Sequence, residues 1–180
     1  MNAWVLLLDA IEGTRTRKLA PSALRKLLKG LGVRQIKTAP PSGDAVFCGV
    51  IDARAFGGYV ADMIAHHLGA RPRTLVLSRD SFTEITDLWP WAGAPNNPED
   101  GQVWFLHRPS SASLAALRAT AAPGERFTLT PSALYHHAPD GFAQSPLVER
   151  AERLLNVPAH RRDLDSLARL HAMLAGLRED

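Results

Sequence analysis

Short apolar segments with strand and helix periodicity alternate along this chain, and this order limits the folds it can adopt. Residues 3–9 form an apolar run that stops at Asp9, which is typical of a strand buried on both faces. Leucines at helical spacing between residues 24 and 31 predict a helix whose opposite side is basic. Residues 33–39 and 45–51 resemble two strands, and the Pro-Pro-Ser-Gly-Asp segment at 40–44 predicts a hairpin between them.

A second helix and a fourth strand complete this first group of elements. Asp52 is placed to cap a helix whose apolar side runs from Phe56 to Leu68. Residues 74–77 then supply another short apolar strand. The resulting order, βαββαβ, is that of a ferredoxin-like fold.

The same order begins again after residue 101. A capping-box pattern at Ser81-Phe82-Thr83-Glu84 predicts a short helix, and a loop rich in Pro, Gly and Asn follows it. The later segments predict a strand at 102–108, a helix at Leu114 and Leu117, strands at 126–130 and 134–138, and two closing helices. We therefore expect an α+β protein with two ferredoxin-like halves, βαββαβ followed by βαββαα, in which helices pack on one face of antiparallel sheets. The predicted boundaries are 1–90 for the first half, 91–101 for a linker and 102–180 for the second half.

Composition narrows the functional classes. Cys48 is the only cysteine among 180 residues, so an internal disulfide and a cysteine-rich zinc cluster are both excluded. Its apolar neighbours predict a small buried side chain. No apolar run approaches the roughly 20 residues that a membrane-spanning helix requires. We expect a cytoplasmic protein with no membrane association and no bound cofactor, and the sequence leaves its oligomeric state open.

Positive charge is concentrated near the N-terminal end. Between Gly13 and Gly43 the chain has eight Lys or Arg residues and no acid. Clustered cations of this kind bind phosphates by releasing condensed counterions, although a solvated basic face is the simpler interpretation. The predicted anion-binding residues are Arg15, Arg17, Lys18, Arg25, Lys26 and Lys29. Their expected partner is a nucleic acid or another anion, but the paired-aromatic strand motif of RNA-binding sheets is missing.

Several spaced motifs carry a resemblance to a known family. They are Leu7-Leu8-Asp9-Ala10-Ile11-Glu12-Gly13, Lys18, Thr38-Ala39-Pro40-Pro41-Ser42-Gly43-Asp44, Tyr135, Pro139-Asp140-Gly141, Ser145-Pro146 and His160-Arg161-Arg162-Asp163-Leu164-Asp165-Ser166. In order and spacing they resemble the family of domain of unknown function 1697. The resemblance implies a tandem of ferredoxin-like halves. It also implies a shared polar site, here represented by Asp9, Glu12, Ser42, Gly43, Asp44, Ser145, Arg162 and Asp163.

This chain departs from the family pattern mainly by gaining acids. Carboxylates stand at Asp9, Glu12, Asp44, Asp163 and Asp165, where the pattern has Arg or Asn. If the motif loops converge, these acids could hold Mg²⁺ or perform general acid–base chemistry, whereas salt bridges are the structural alternative. The adjacent pairs His66-His67 and His136-His137 point in different directions, so no metal site is predicted from them.

Three functions remain open from the sequence. The first is a noncatalytic binding module that uses the basic stretch, the second an enzyme that uses the carboxylates with Arg162, and the third a protein-interaction module that has lost the family site. No catalytic residue is identified, because the nucleophile-elbow, Walker and dinucleotide-binding patterns are all missing.

Overall fold

The computed structural model describes residues 2–9, 19–91 and 100–178. The elements of the first part are β1 (Asn2–Leu8), α1 (Pro21–Gly30), β2 (Arg34–Ala39), β3 (Asp44–Gly49), α2 (Ala53–Leu68), β4 (Thr74–Ser78) and α3 (Arg79–Asp87). Those of the second part are β5 (Gly101–Leu106), α4 (Leu114–Thr120), β6 (Arg126–Leu129), β7 (Ala133–His137), α5 (Pro146–Leu155), β8 (Ala159–Asp163) and α6 (Leu164–Ala175). None of the helices within these ranges has the length and apolar character needed to cross a membrane.

The strands form two four-stranded antiparallel sheets with the same topology. Their strand orders are β2-β3-β1-β4 and β6-β7-β5-β8, so each half repeats one arrangement. In each sheet the first strand of the half lies between the third and the fourth. The predicted α+β fold with two ferredoxin-like halves is confirmed.

The second half is more complete than the sequence suggested. The prediction that it ends in βαββαα is wrong in its last part, because β8 pairs with β5 before α6 begins. Residues 159–163 read Ala-His-Arg-Arg-Asp, which has no apolar run. Because β8 is an edge strand, only part of its surface needs to be apolar. Its mostly polar sequence therefore lacks the alternation of apolar residues by which a strand is predicted.

By compactness the chain divides into two units, Met1–Glu84 with Arg169–Asp180, and Ile85–Ala168. This division differs from the predicted 1–90 and 102–180, since the end of α6 belongs to the first unit. Most of the predicted linker 91–101 lies outside the described residues.

Two side chains of the first unit bind the end of α6. Lys37 Nζ donates to the Met173 carbonyl at 3.2 Å, and Arg79 donates to the Leu174 carbonyl at 2.8 Å. These two bonds satisfy carbonyls in the last turns of α6, which have no partner within the helix.

The first unit has a core on the helix-covered face of its sheet. Leucines 24, 27 and 28 of α1 are buried there, while the cations of the same helix face outward. Phe47 is fully buried and packs on Phe56 of α2, with ring centroids 5.1 Å apart. Side chains of the opposite face, including Val5, Val46 and Cys48, are also fully buried. The central strands of this sheet therefore present no open face.

The second unit has a corresponding core. Trp104 and Leu134 pack with Ala151 and Leu155 of α5 on the helix-covered face. On the other face, the buried Tyr135 hydroxyl donates to the Ile85 carbonyl at 2.7 Å. This bond satisfies the polar end of a large apolar side chain.

Candidate functional site

The α1–β2 basic surface is a part of the first unit that carries several cations and no acid. We define it as Arg25, Lys26 and Lys29 on α1 together with Arg34 and Lys37 on β2. These elements pack side by side, and β2 is an edge strand. The Arg25 guanidinium donates to Thr38 Oγ1 of β2 at 3.1 Å. No acid occurs between residues 19 and 43, so positive potential accumulates along this surface.

Three cations of this surface are available to an external anion. Lys26, Lys29 and Arg34 are exposed, and none forms an ion pair with any residue of the described ranges. Lys37 is half-buried, and its ammonium group donates to the Met173 carbonyl. Lys37 therefore adds positive charge to the surface, but its side chain is already held in place by this hydrogen bond. Of the other predicted anion-binding residues, Arg15, Arg17 and Lys18 lie outside the described residues, as does Glu12 of the family motif.

Four family-motif residues meet at one end of the first sheet. Asp44 is buried, and its Oδ1 accepts a hydrogen bond from the Leu8 backbone N–H at 2.9 Å. Asp9 follows Leu8 directly, and its carboxylate lies 2.7 Å from the Arg73 guanidinium. Ser42 Oγ donates to the Ala39 carbonyl and accepts from the Asp44 N–H, which braces the hairpin turn. Gly43 has φ +81°, a conformation that glycine adopts without strain.

These contacts support the structural interpretation of the first unit's motif. Asp44 links the end of β1 to the start of β3, and Asp9 forms a salt bridge, although with Arg73, which is not one of the family-motif residues. Within the described ranges, no group of three or more His, Cys, Asp or Glu side chains is arranged to hold a metal ion.

The other three motif residues belong to the second unit. Ser145 is buried and caps α5, because its Oγ accepts from the Val148 N–H at 3.1 Å. Asp163 accepts from the Ser166 N–H at 2.7 Å in the first turn of α6. Arg162 is buried on β8, and its Nη1 donates to the Arg161 carbonyl at 2.6 Å. The motif residues are thus divided between two units rather than gathered in one.

A buried polar pair in the second unit was missed by the sequence analysis. Gln102 of β5 lies directly opposite His136 of β7, and both are buried. His136 Nε2 is 3.5 Å from Glu125 Oε2, and its ring lies against Phe142 with centroids 5.2 Å apart. The available signal was Gln102 inside an otherwise apolar strand and the pair His136-His137 at the end of another. Such residues are common enough that only the strand register shows that they meet.

Burial controls the protonation of the histidines in β7. Loss of hydration lowers the pKa of His136 below its ordinary value of 6.5, and His137 and Arg161 lower it further, while Glu125 partly opposes the change. The pKa of His137 is also lowered, first by burial and then by Arg126, against the opposing effect of Asp100. Both imidazoles are therefore neutral near pH 7.

The stability of the second unit should consequently fall in mild acid. A depressed pKa means that the unfolded chain binds more protons than the folded one as the pH drops below about 6.5, so stability is complete above that value and decreases below it. The slope for one such histidine can reach about 1.4 kcal/mol per pH unit. Urea unfolding at several pH values between neutrality and pH 5 measures it. His136→Phe should flatten the profile, whereas the exposed His66→Phe should not, and equal slopes in all three proteins would contradict this expectation.

Comparison with known proteins adds a fold relative and a family. The solved structure described as that of conserved bacterial protein SP0830 from Streptococcus pneumoniae is similar, with a TM-score of 0.68 and 16% sequence identity. The match covers 96% of this chain and 98% of that one, and at this identity it supports the fold alone. No curated protein matches the chain. The family described as "Protein of unknown function (DUF1697)" matches over residues 1–135. That match spans most of the chain, including the whole first sheet, β5, β6 and the first part of β7, so the protein is a member of the DUF1697 family.

Proposed function

We propose that this protein is a noncatalytic module that binds nucleic acid through the α1–β2 basic surface. The observation that carries the proposal is the group of exposed cations at Lys26, Lys29 and Arg34, which have no acid near them in sequence and no ion pair within the described ranges. Exposed basic side chains without local acids attract the phosphate backbone, whose neutralisation releases counterions.

The buried sheet determines how such binding would occur. RNA-binding ferredoxin-like domains stack bases on aromatic side chains of an open sheet face. Here Phe47 of β3 is fully buried, and its neighbours Val46 and Cys48, which point to the opposite face, are buried as well. Contacts are therefore directed to phosphates rather than to bases. This predicts weak sequence preference and strong salt dependence.

A purely structural role explains only part of the basic surface. Lys29 lies in the last turn of α1, where a cation interacts favourably with the helix dipole. Lys26 lies earlier in the helix, and Arg34 is on β2, so neither is explained in this way. The carboxylate enzyme proposed from the sequence has less support, since Asp44 holds the Leu8 amide and Asp9 pairs with Arg73.

Removing charge from α1 should weaken nucleic-acid binding. We expect Lys26→Gln with Lys29→Gln to reduce affinity about tenfold or more near 0.1 M salt, and to lower the slope of log K against log salt by about 0.7 per lost contact on single strands. Fluorescence anisotropy with a labelled single-stranded RNA and a duplex DNA, each at several salt concentrations, provides both values.

A matched control removes the same charge from another helix. Arg150 and Arg153 are exposed on α5, where Glu149 and Glu152 balance them, so Arg150→Gln with Arg153→Gln should leave binding nearly unchanged. Equal losses in the two double variants would indicate a response to net charge alone. Wild-type affinity that is absent at low salt, or that does not change with salt, would refute the proposal.

A further inference from the structure

Equivalent positions of the two sheets carry aromatic side chains in the first sheet and polar side chains in the second. On the helix-covered face of the first sheet, Trp4 lies opposite Phe47 on one side and Ser78, the last residue of β4, on the other. On the second sheet, Gln102 lies opposite His136 and Asp163, the last residue of β8. Phe47 and Trp4 therefore correspond to His136 and Gln102. An aromatic pair in one half is a polar pair in the other.

The segments that pack over these positions also differ between the two sheets. Between β3 and α2 only residues 50–52 intervene, and α2 has 16 residues. Between β7 and α5 the connection is longer, at 138–145, and α5 has 10 residues. Phe142 of this connection lies against His136, in the place where Phe56 of α2 lies against Phe47. A loop rather than a helix therefore lies over the polar pair. This loop approaches the neighbouring turn closely, because a β-carbon placed on Gly124 would lie 3.5 Å from Pro139 Cγ.

The polar pair has hydrogen-bonding capacity that the described part of the chain does not use. His136 is 0% exposed and Gln102 is 8% exposed, yet Gln102 Oε1 and both ring nitrogens of His136 have no hydrogen-bond partner among the described residues. Glu125 Oε2 accepts from the Ala122 N–H and lies 3.5 Å from His136 Nε2, which is longer than a hydrogen bond, so it is the negative charge of Glu125 that favours the imidazole tautomer with the proton on Nε2. In that tautomer Nδ1 is an acceptor. Two buried acceptors thus lie on adjacent strands, and leaving them unpaired is unfavourable.

We propose that this loop-covered end of the second sheet is a binding site for a small neutral ligand with N–H donors, such as a primary amide. His136 Nδ1 and Gln102 Oε1 accept its two hydrogens, the charge of Glu125 favours the proton on Nε2 of the imidazole, and Phe142 packs over the bound group. A water molecule would satisfy the same acceptors, so the test must separate the two occupants.

Nuclear magnetic resonance of the full-length protein with ¹⁵N-labelled histidines tests the site directly. Acetamide is the probe, and N,N-dimethylacetamide, which has a similar carbonyl but no N–H donor, is the matched control. We expect acetamide to shift the Nδ1 resonance of His136 in a saturable manner and dimethylacetamide to leave it unchanged. Gln102→Leu should weaken acetamide binding about tenfold through loss of one acceptor. Gln144→Leu, an exposed change in the covering loop, should have no such effect.

The unfolding temperature of Gln102→Leu distinguishes a ligand-binding role of Gln102 from a purely structural one. Gln102→Leu should unfold at or above the wild-type temperature, because it removes a buried carbonyl that has no partner among the described residues. Failure of acetamide to shift His136, equal shifts with both amides, or undiminished binding in Gln102→Leu would each overturn the proposal and leave water as the occupant. A His136 resonance pattern with the proton on Nδ1 would do the same.

Discussion

Replacing Phe47 with alanine should lower the free energy of unfolding by about 3–5 kcal/mol, the largest effect that we expect from a single substitution here. Phe47 is 0% exposed at the centre of the first sheet, and its ring packs on Phe56 of α2. Truncation removes the transfer free energy of the ring and leaves a cavity that neighbouring strands cannot fill by small shifts.

Urea unfolding followed by circular dichroism measures this loss. The control is Val50→Ala, one residue beyond the end of β3, where the side chain is 91% exposed and the expected change is within about 0.5 kcal/mol. A loss below about 1 kcal/mol in Phe47→Ala would show that the helix α2 does not pack on this face of the sheet.

Asp44→Ala should give the second largest effect, a loss of about 2–3 kcal/mol in the free energy of unfolding. The carboxylate of this buried residue accepts the Leu8 N–H, and its removal leaves that backbone donor inside the protein without its acceptor. Hydrogen bonds to charged groups contribute more than neutral ones, and an unpaired buried donor carries the full desolvation penalty.

Two further variants show which part of Asp44 is required. Asp44→Asn keeps an oxygen acceptor in the same place, so it should lose less than about 1 kcal/mol. Asp9→Asn removes a partly exposed salt bridge to Arg73 and should also change stability by at most about 1 kcal/mol. If Asp44→Ala proved as stable as Asp44→Asn, the strand-end bond would not hold the fold together.

These outcomes bear on how the family motif is used. At Asp44, Ser42 and Ser145 the motif side chains satisfy backbone groups at a strand end, a turn and a helix start. Such bonds explain why a carboxylate can stand where the family pattern has asparagine, since both residues offer an oxygen acceptor. These motif side chains thereby support the fold.

Local patterns were sufficient for most of the secondary structure. The helical spacing of the leucines in α1 and the hairpin at 40–44 are visible in the sequence because each reflects contacts between near neighbours. The cap at Asp52 is confirmed, with its side chain accepting from the Ala55 N–H. At α3 the boundary differs, since the helix begins at Arg79 rather than Ser81. Ser78 Oγ accepts the Ser81 N–H at 3.1 Å.

The sequence by itself determined the order of the elements apart from β8, the family and the concentration of positive charge on α1 and β2. Only the tertiary structure revealed β8, because an edge strand needs little apolar character, and only it brought Gln102 opposite His136. Strand register depends on pairing between residues 34 positions apart, which no local periodicity encodes. Burial of the polar pair follows from that register. Because the pair is buried, His136 is neutral near pH 7 and acceptor atoms of the second unit have no hydrogen-bond partner among the described residues.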